Sequence, residues 1–267
     1  MTDTAGPSAR EVSSRFGSSS MLRRGEGKPV LVLHAAGGAG AWSPYLERLS
    51  ERFDVLAPDH PGFGLSPVLA EVDSMSTLVE HYLSLLDGLG LDTVSVVGAS
   101  FGGWLAAEIA STAPDRVDRL VLMSPAGLLI ADAPPADLAS MTPEQVVRTL
   151  YRDEAHAEAI LGVPPTPEAA AQAEGDAAAV ARYASDPLLH NPDLPDRLSR
   201  ITAPTLIITP DVDLVIPRPH SEAYAAAIEG AELRVLTECG HALYHEQPDL
   251  VADEVIAFLA DTTKVAP

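Results

Sequence analysis

The chain has 267 residues, 46% of them hydrophobic and 21% charged, with a formal charge of −21, which suits one large folded domain, alone or carrying an inserted lobe. So acidic a surface repels phosphate backbones and anionic lipid, which argues against nucleic acid and membrane partners. The one cysteine, Cys239, excludes an internal disulfide and a cysteine-built zinc site.

In chain order, the opening "MTDTAGPSAR" has no basic stretch followed by an apolar run. No secretory signal is read there, and residues 1 to about 10 are expected to be frayed. No apolar run reaches the ~18–20 residues of a membrane span, so the expectation is a cytoplasmic protein. "EVSSRFG" and "SSMLRRGEG" read as a weakly alternating hairpin. "PVLVLHAAGGAG" and "FDVLAPDHPGFGLS" are apolar runs that end in small-residue loops. "STLVEHYLSLLDGLG" has helical spacing and stops on glycine. "TVSVVGAS", "GGWLAAEIASTAP" and "VDRLVLMSPAG" then read as strand, helix and strand. Continuous apolar strands alternating with helices predict an α/β fold: a mostly parallel central sheet covered on both faces.

The alternation stops after Pro125. "MTPEQVVRTLYRDEAHAEAIL" opens as a helix with Thr142 as cap, Pro143 at the first position and Gln145 three after the cap. A second helix begins the same way at Thr166. The expected division is a core of residues 1–126 and 198–267 with an all-helical cap inserted at 127–197. Within the cap, Arg148, Arg152, Arg182 and Arg197 have no assignable direction. Strand and helix signals resume with "PTLIITP", "PHSEAYAAAIEG", "AELRVLTECGH" and "PDLVADEVIAFLA".

In such a sheet, ligands bind beyond the carboxyl ends of the strands. Ser100 lies at one of these ends in "GASFGG". A sharp strand-to-helix turn forces its central residue to positive φ, and Gly98 and Gly102 relieve the crowding two places to either side. The residue is a candidate nucleophile, with helix capping as the plainer alternative. A serine needs a base, and the base needs an orienting carboxylate. His241, after the last strand, is the candidate base. His34 and His60 lie at strand ends ahead of the serine and read as loop-holding groups. His81, His156, His190 and His220 read as solvated surface, and His245 as a cap or surface group. Asp211 and Asp213 both follow "TLIITP". Asp213, four residues before Pro217, is preferred, and Asp211 competes.

The chain resembles the α/β-hydrolase superfamily from about residue 11 to 260, through "HAAGG", "PDHPGFGLS", "GASFGG", "TPDVDLVIP" and "ECGHALYHEQP". The resemblance implies the α/β-hydrolase fold and a Ser100–Asp213–His241 triad. It selects Asp213 through G-x-x-D-x-x-x-P, with Pro210 in place of the glycine. It also implies an oxyanion hole formed by the N–H groups of Ala36 and Phe101. Phe101 follows the nucleophile directly, and its N–H is an orphan donor of the helix start. Trp42, Tyr45 and Trp104 line either the acyl pocket or the core, and Cys239 reads as a small buried hydrophobe.

The reaction expected is hydrolysis of a small, mostly neutral ester or lactone. Carbon–carbon bond hydrolysis of the meta-cleavage-product type ranks second, since those enzymes usually place asparagine before the serine and tryptophan after the histidine. Here those positions hold Ala99 and Ala242. Acyl transfer, cyclisation and a non-catalytic ligand receptor are further alternatives. The expected partner is a small-molecule substrate. No metal cluster, dinucleotide fingerprint or phosphate loop is present in the sequence, so no cofactor is implied. Oligomeric state is not encoded legibly.

Overall fold

A computed structural model describes residues 7–38, 40–184, 186, 188–261 and 263. In chain order the elements are β1 (Ser8–Ser14), β2 (Gly17–Arg24), β3 (Pro29–Leu33), α1 (Pro44–Ser50), β4 (Asp54–Pro58), α2 (Met75–Gly88), β5 (Val94–Ala99), α3 (Phe101–Thr112) and β6 (Val117–Met123). After β6 come α4 (Pro143–Leu150), α5 (Glu154–Leu161), α6 (Pro167–Tyr183), β7 (Thr205–Pro210), α7 (Pro219–Ala227), β8 (Glu232–Leu236), α8 (Leu243–Glu246) and α9 (Pro248–Ala260). The eight strands form one sheet in the order β1-β2-β4-β3-β5-β6-β7-β8. β1 and β2 form the antiparallel hairpin, β2 runs antiparallel to β4, and the other pairs are parallel.

Period-two alternation divides the core. Leu31, Leu56, Val96, Leu120 and Ile207 face α2, α3 and α7. Val30, Val55, Val97, Val121 and Ile208 face α1 and α9. Burial on both faces is why β5 is an unbroken apolar run with all six residues buried. Among the described residues, no helix is long and apolar enough to cross a membrane.

Three local expectations need correction. Residues 1–6 lie outside the described residues, but Ser8–Arg10 are strand rather than frayed, paired with Met21–Arg23. "MTPEQVVRTLYRDEAHAEAIL" is two helices, not one. It breaks at Tyr151–Asp153, where the Asp153 side chain caps Ala155 and the Arg152 and Asp153 N–H groups donate to Glu246. A tertiary carboxylate here outcompetes helix continuation. Finally, His81 and His220 are fully buried rather than solvated. His81 bonds the Ser14 and Ser19 hydroxyls of the hairpin, and His220 bonds the Ala133 carbonyl.

The segment between β6 and β7 is helical, and its only strand-like pairing among the described residues is the bridge Gly127–His190. It packs over the loops that leave the carboxyl ends of the strands. Tyr183 donates to the Pro61 carbonyl, Arg182 to the Leu69, Ala70 and Val72 carbonyls, and the Gly64 N–H to Asp176. The Ala242 N–H donates to the Leu150 carbonyl of α4.

Candidate active site

Ser100 sits between β5 and α3 at φ 52°, ψ −114°, a conformation that costs a non-glycine residue about 1–3 kcal/mol. Its own backbone holds it there. The Ser100 N–H continues the β5–β6 ladder to the Met123 carbonyl at 2.8 Å, while its carbonyl accepts from Trp104 at 3.0 Å and Ala126 at 3.1 Å. The flanking glycines are required by close approach. A Cβ at Gly98 would lie 2.2 Å from the Gly102 carbonyl oxygen, and one at Gly102 would lie 2.2 Å from that of Leu33.

β5, β6, β7 and β8 are parallel neighbours, so the residues just beyond them share one edge of the sheet. Asp213 and His241 meet there: Nδ1 of His241 lies 2.9 Å from Oδ2 and 3.1 Å from Oδ1 of Asp213. Both are almost wholly buried. Burial alone would raise the Asp213 pKa, but the His241 ring and the N–H groups of Ile216 and Val215 hold it below the ordinary carboxylate value. An acid so held remains an anion and fixes the imidazole with its Nδ1 proton toward the carboxylate. That leaves Nε2 as the nitrogen able to take a proton. No hydrogen bond joins the Ser100 hydroxyl to His241.

Asp211 has a different partner. Its carboxylate pairs with Arg152 at 2.6 Å, which removes it from competition for His241. The N–H groups of Ala36 and Phe101 enter no hydrogen bond among the described residues, the state required of oxyanion donors. Phe101 itself is fully buried, with its ring 5.9 Å from Trp104 and 6.3 Å from Tyr183 of the helical segment. Trp104 is core, donating to buried Glu108, and Trp42 donates to Glu47. Tyr45, by contrast, lines a cavity of about 60 Å³ together with His34, Ala99, Tyr244 and His245. Cys239 is buried and its thiol is pushed up to about 11 by burial, so it stays protonated at neutral pH.

His34 and His60 hold loops, as read from sequence. Their ring centroids lie 3.7 Å apart with the planes tilted by 32°. The His60 N–H donates to His34 Nε2 at 3.0 Å, His60 Nε2 bonds the His34 carbonyl, and Nδ1 meets the Tyr82 hydroxyl at 2.5 Å. This chain pins the loop that carries Ala36. One contributor escaped the sequence reading: Glu246, whose carboxylate accepts from Gly240, Arg152 and Asp153 and so ties the His241 loop to the helical segment. The signal was present in "EQP", but its partner lies 94 residues away.

The alpha/beta hydrolase family matches residues 30–254. A 2-hydroxymuconate semialdehyde hydrolase of Pseudomonas putida is 33% identical over 256 residues, covering 89% of each chain. A 2-hydroxy-6-oxo-6-phenylhexa-2,4-dienoate hydrolase of Comamonas testosteroni is 29% identical over 266 residues, covering 88% of each. Among solved structures, a meta-cleavage product hydrolase from Pseudomonas fluorescens IP01 superposes with a TM-score of 0.79 at 25% identity, over 94% of this chain and 97% of that one. With the eight-stranded sheet and the elbow, these matches place the chain in the alpha/beta hydrolase family.

Proposed function

We propose that the protein is a serine-dependent hydrolase that cleaves a carbon–carbon bond beside a ketone, with residues 127–197 acting as its cap. The observation that carries this reading is the near full-length similarity to carbon–carbon bond hydrolases, which outweighs the preference for an ester drawn from the sequence. The geometry of the site supplies the chemistry. Ser100 Oγ attacks the ketone carbon as His241 Nε2 takes its proton. Asp213 stabilises the resulting imidazolium, and the Ala36 and Phe101 N–H groups receive the oxyanion. Collapse breaks the bond to the neighbouring carbon. In a dienol substrate the 2-hydroxyl proton first moves to C5, giving the 2,6-diketone. The electron pair of the broken C5–C6 bond then leaves as a dienolate of the C2 carbonyl, and the imidazolium proton neutralises it. Water, activated by the same histidine, then releases the acid from Ser100.

A second reading, carboxylic ester hydrolysis, is favoured by Ala99 and Ala242. They leave no polar side chain beside the serine or the histidine to steer a carbanionic leaving group, which an ester does not need. The test is direct: 2-hydroxy-6-oxo-6-phenylhexa-2,4-dienoate, its primary carboxamide and a 4-nitrophenyl ester are offered to the wild type and to Ser100→Ala. Loss of the dienol absorbance from either diketone, abolished by the substitution, supports the first reading. Turnover of the ester alone selects the second.

A further inference from the structure

The relatives named above act on acids by name, yet the surroundings of this site are arranged against a carboxylate. The cavity of about 60 Å³ behind the elbow is lined by His34, Gly38, Tyr45, Ala99, Tyr244 and His245 among others, and by no lysine or arginine. Its polar groups are neutral. Burial, then His156, lowers the His245 pKa, and burial lowers that of His34 to about 4. Burial holds the Tyr45 phenol above its usual range. The Tyr45 hydroxyl is buried with no hydrogen-bond partner among the described residues, although its residue is only 2% exposed. A buried hydroxyl left in that state costs about 1–3 kcal/mol, a cost removed when an oxygen acceptor enters beside it.

The four arginines of the helical segment are all engaged elsewhere. Arg148 pairs with Glu144, Glu154 and Glu158, and Arg152 with Asp211 and Glu238. Arg182 is spent on three backbone carbonyls, and Arg197 on buried Glu108. What the segment does bring to the loop that carries Ala36 is an acid. Asp176 of α6 is 6% exposed, and a Cβ built on Gly38 of the oxyanion loop would lie 2.7 Å from its Oδ2. Its Oδ1 accepts from Gln172 and Gly64, and Asp59 nearby adds a second acid. In a site of low dielectric, carboxylates so placed repel an anionic substrate strongly.

We infer that this site selects an uncharged substrate, a ketone or ester bearing a neutral acceptor oxygen to which the Tyr45 hydroxyl donates, and excludes carboxylates through Asp176. The inference rests on the proposed acyl-forming site and deepens it by naming the substrate class. Discrimination of this kind comes from unpaired polar groups and like charge rather than from size.

The test compares matched pairs at pH 7.5. Binding of 4-oxo-4-phenylbutanamide and of 4-oxo-4-phenylbutanoate is measured by calorimetry on the whole protein, with no turnover required. The amide is expected to bind at least ~10-fold tighter. Asp176→Asn narrows that ratio at least ~3-fold, and Tyr45→Phe weakens the amide while sparing the acid, shifts in ratio that a merely structural role would not produce. An acid bound as tightly as the amide, or a ratio untouched by Asp176→Asn, overturns the inference. The same preference is read in turnover from 4-nitrophenyl pentanoate against 4-nitrophenyl hemisuccinate. If neither diketone loses its carbon–carbon bond while the ester pair shows the charge preference, the proposed reaction fails and the substrate class stands.

Discussion

Two buried histidine sites lie at the same edge of the sheet and are built in opposite ways. His241 has a carboxylate, Asp213, within 2.9 Å, so a proton gained on its ring meets a compensating charge. His34 and His60 have each other, a phenol and backbone groups, and no carboxylate in those contacts, so burial keeps both neutral. The same side chain is thus paired with an anion in one place and packed among neutral groups in the other. What separates them is a single anionic partner, not depth of burial.

That contrast can be broken at several levels. The largest effect is expected at the charged pair. His241→Ala and Asp213→Asn each lower kcat by about 10⁴-fold with little change in melting temperature, read by steady-state kinetics beside calorimetry. An activity loss below tenfold would strip the pair of its assigned role. Next comes the neutral pair. His60→Leu orphans the Tyr82 hydroxyl and the His34 carbonyl and is expected to cost about 2–4 kcal/mol of stability, measured by denaturant unfolding. A neutral outcome would make the ring pair incidental.

The pH dependence of stability follows from the same contrast. His34 and His81 are held at about 4 by burial, against 6.5 in the unfolded chain, so the unfolded state binds more protons between these values. Stability is therefore complete above about pH 6.5 and declines as pH falls toward 4, by on the order of 3 kcal/mol for each ring. Asp213, whose pKa is lowered, adds a further loss at still lower pH. Unfolding curves at pH 7.5, 5.5 and 4.5 check this, and His81→Gln should flatten the slope. The smallest effect is at Cys239. Buried and pushed up to about 11, it should leave activity unchanged after iodoacetamide at neutral pH, with mass spectrometry showing the thiol intact.

Much of the site was legible because it is local. "GASFGG" forces its own turn, since Gly98 and Gly102 are demanded by backbone atoms a few residues or one strand away. The apolar runs declared a sheet buried on both faces, and the order of serine, acid and histidine placed the three at one edge. Less legible were the elements that answer to distant partners. The break at Tyr151–Asp153 depends on Glu246, and the burial of His81 depends on a hairpin more than sixty residues earlier in the chain.

By itself, then, the sequence determined the alternation of strands and helices and the elbow, because these follow from side-chain period and short-range sterics. Tertiary structure alone decided that Asp211 is taken by Arg152, that the four arginines of the helical segment are engaged by carboxylates or, for Arg182, by backbone carbonyls, and that Asp176 borders the loop that carries Ala36. Charge acts through space, and in a chain with 38 acidic residues only the folded arrangement says which of them meet a cation and which face the site.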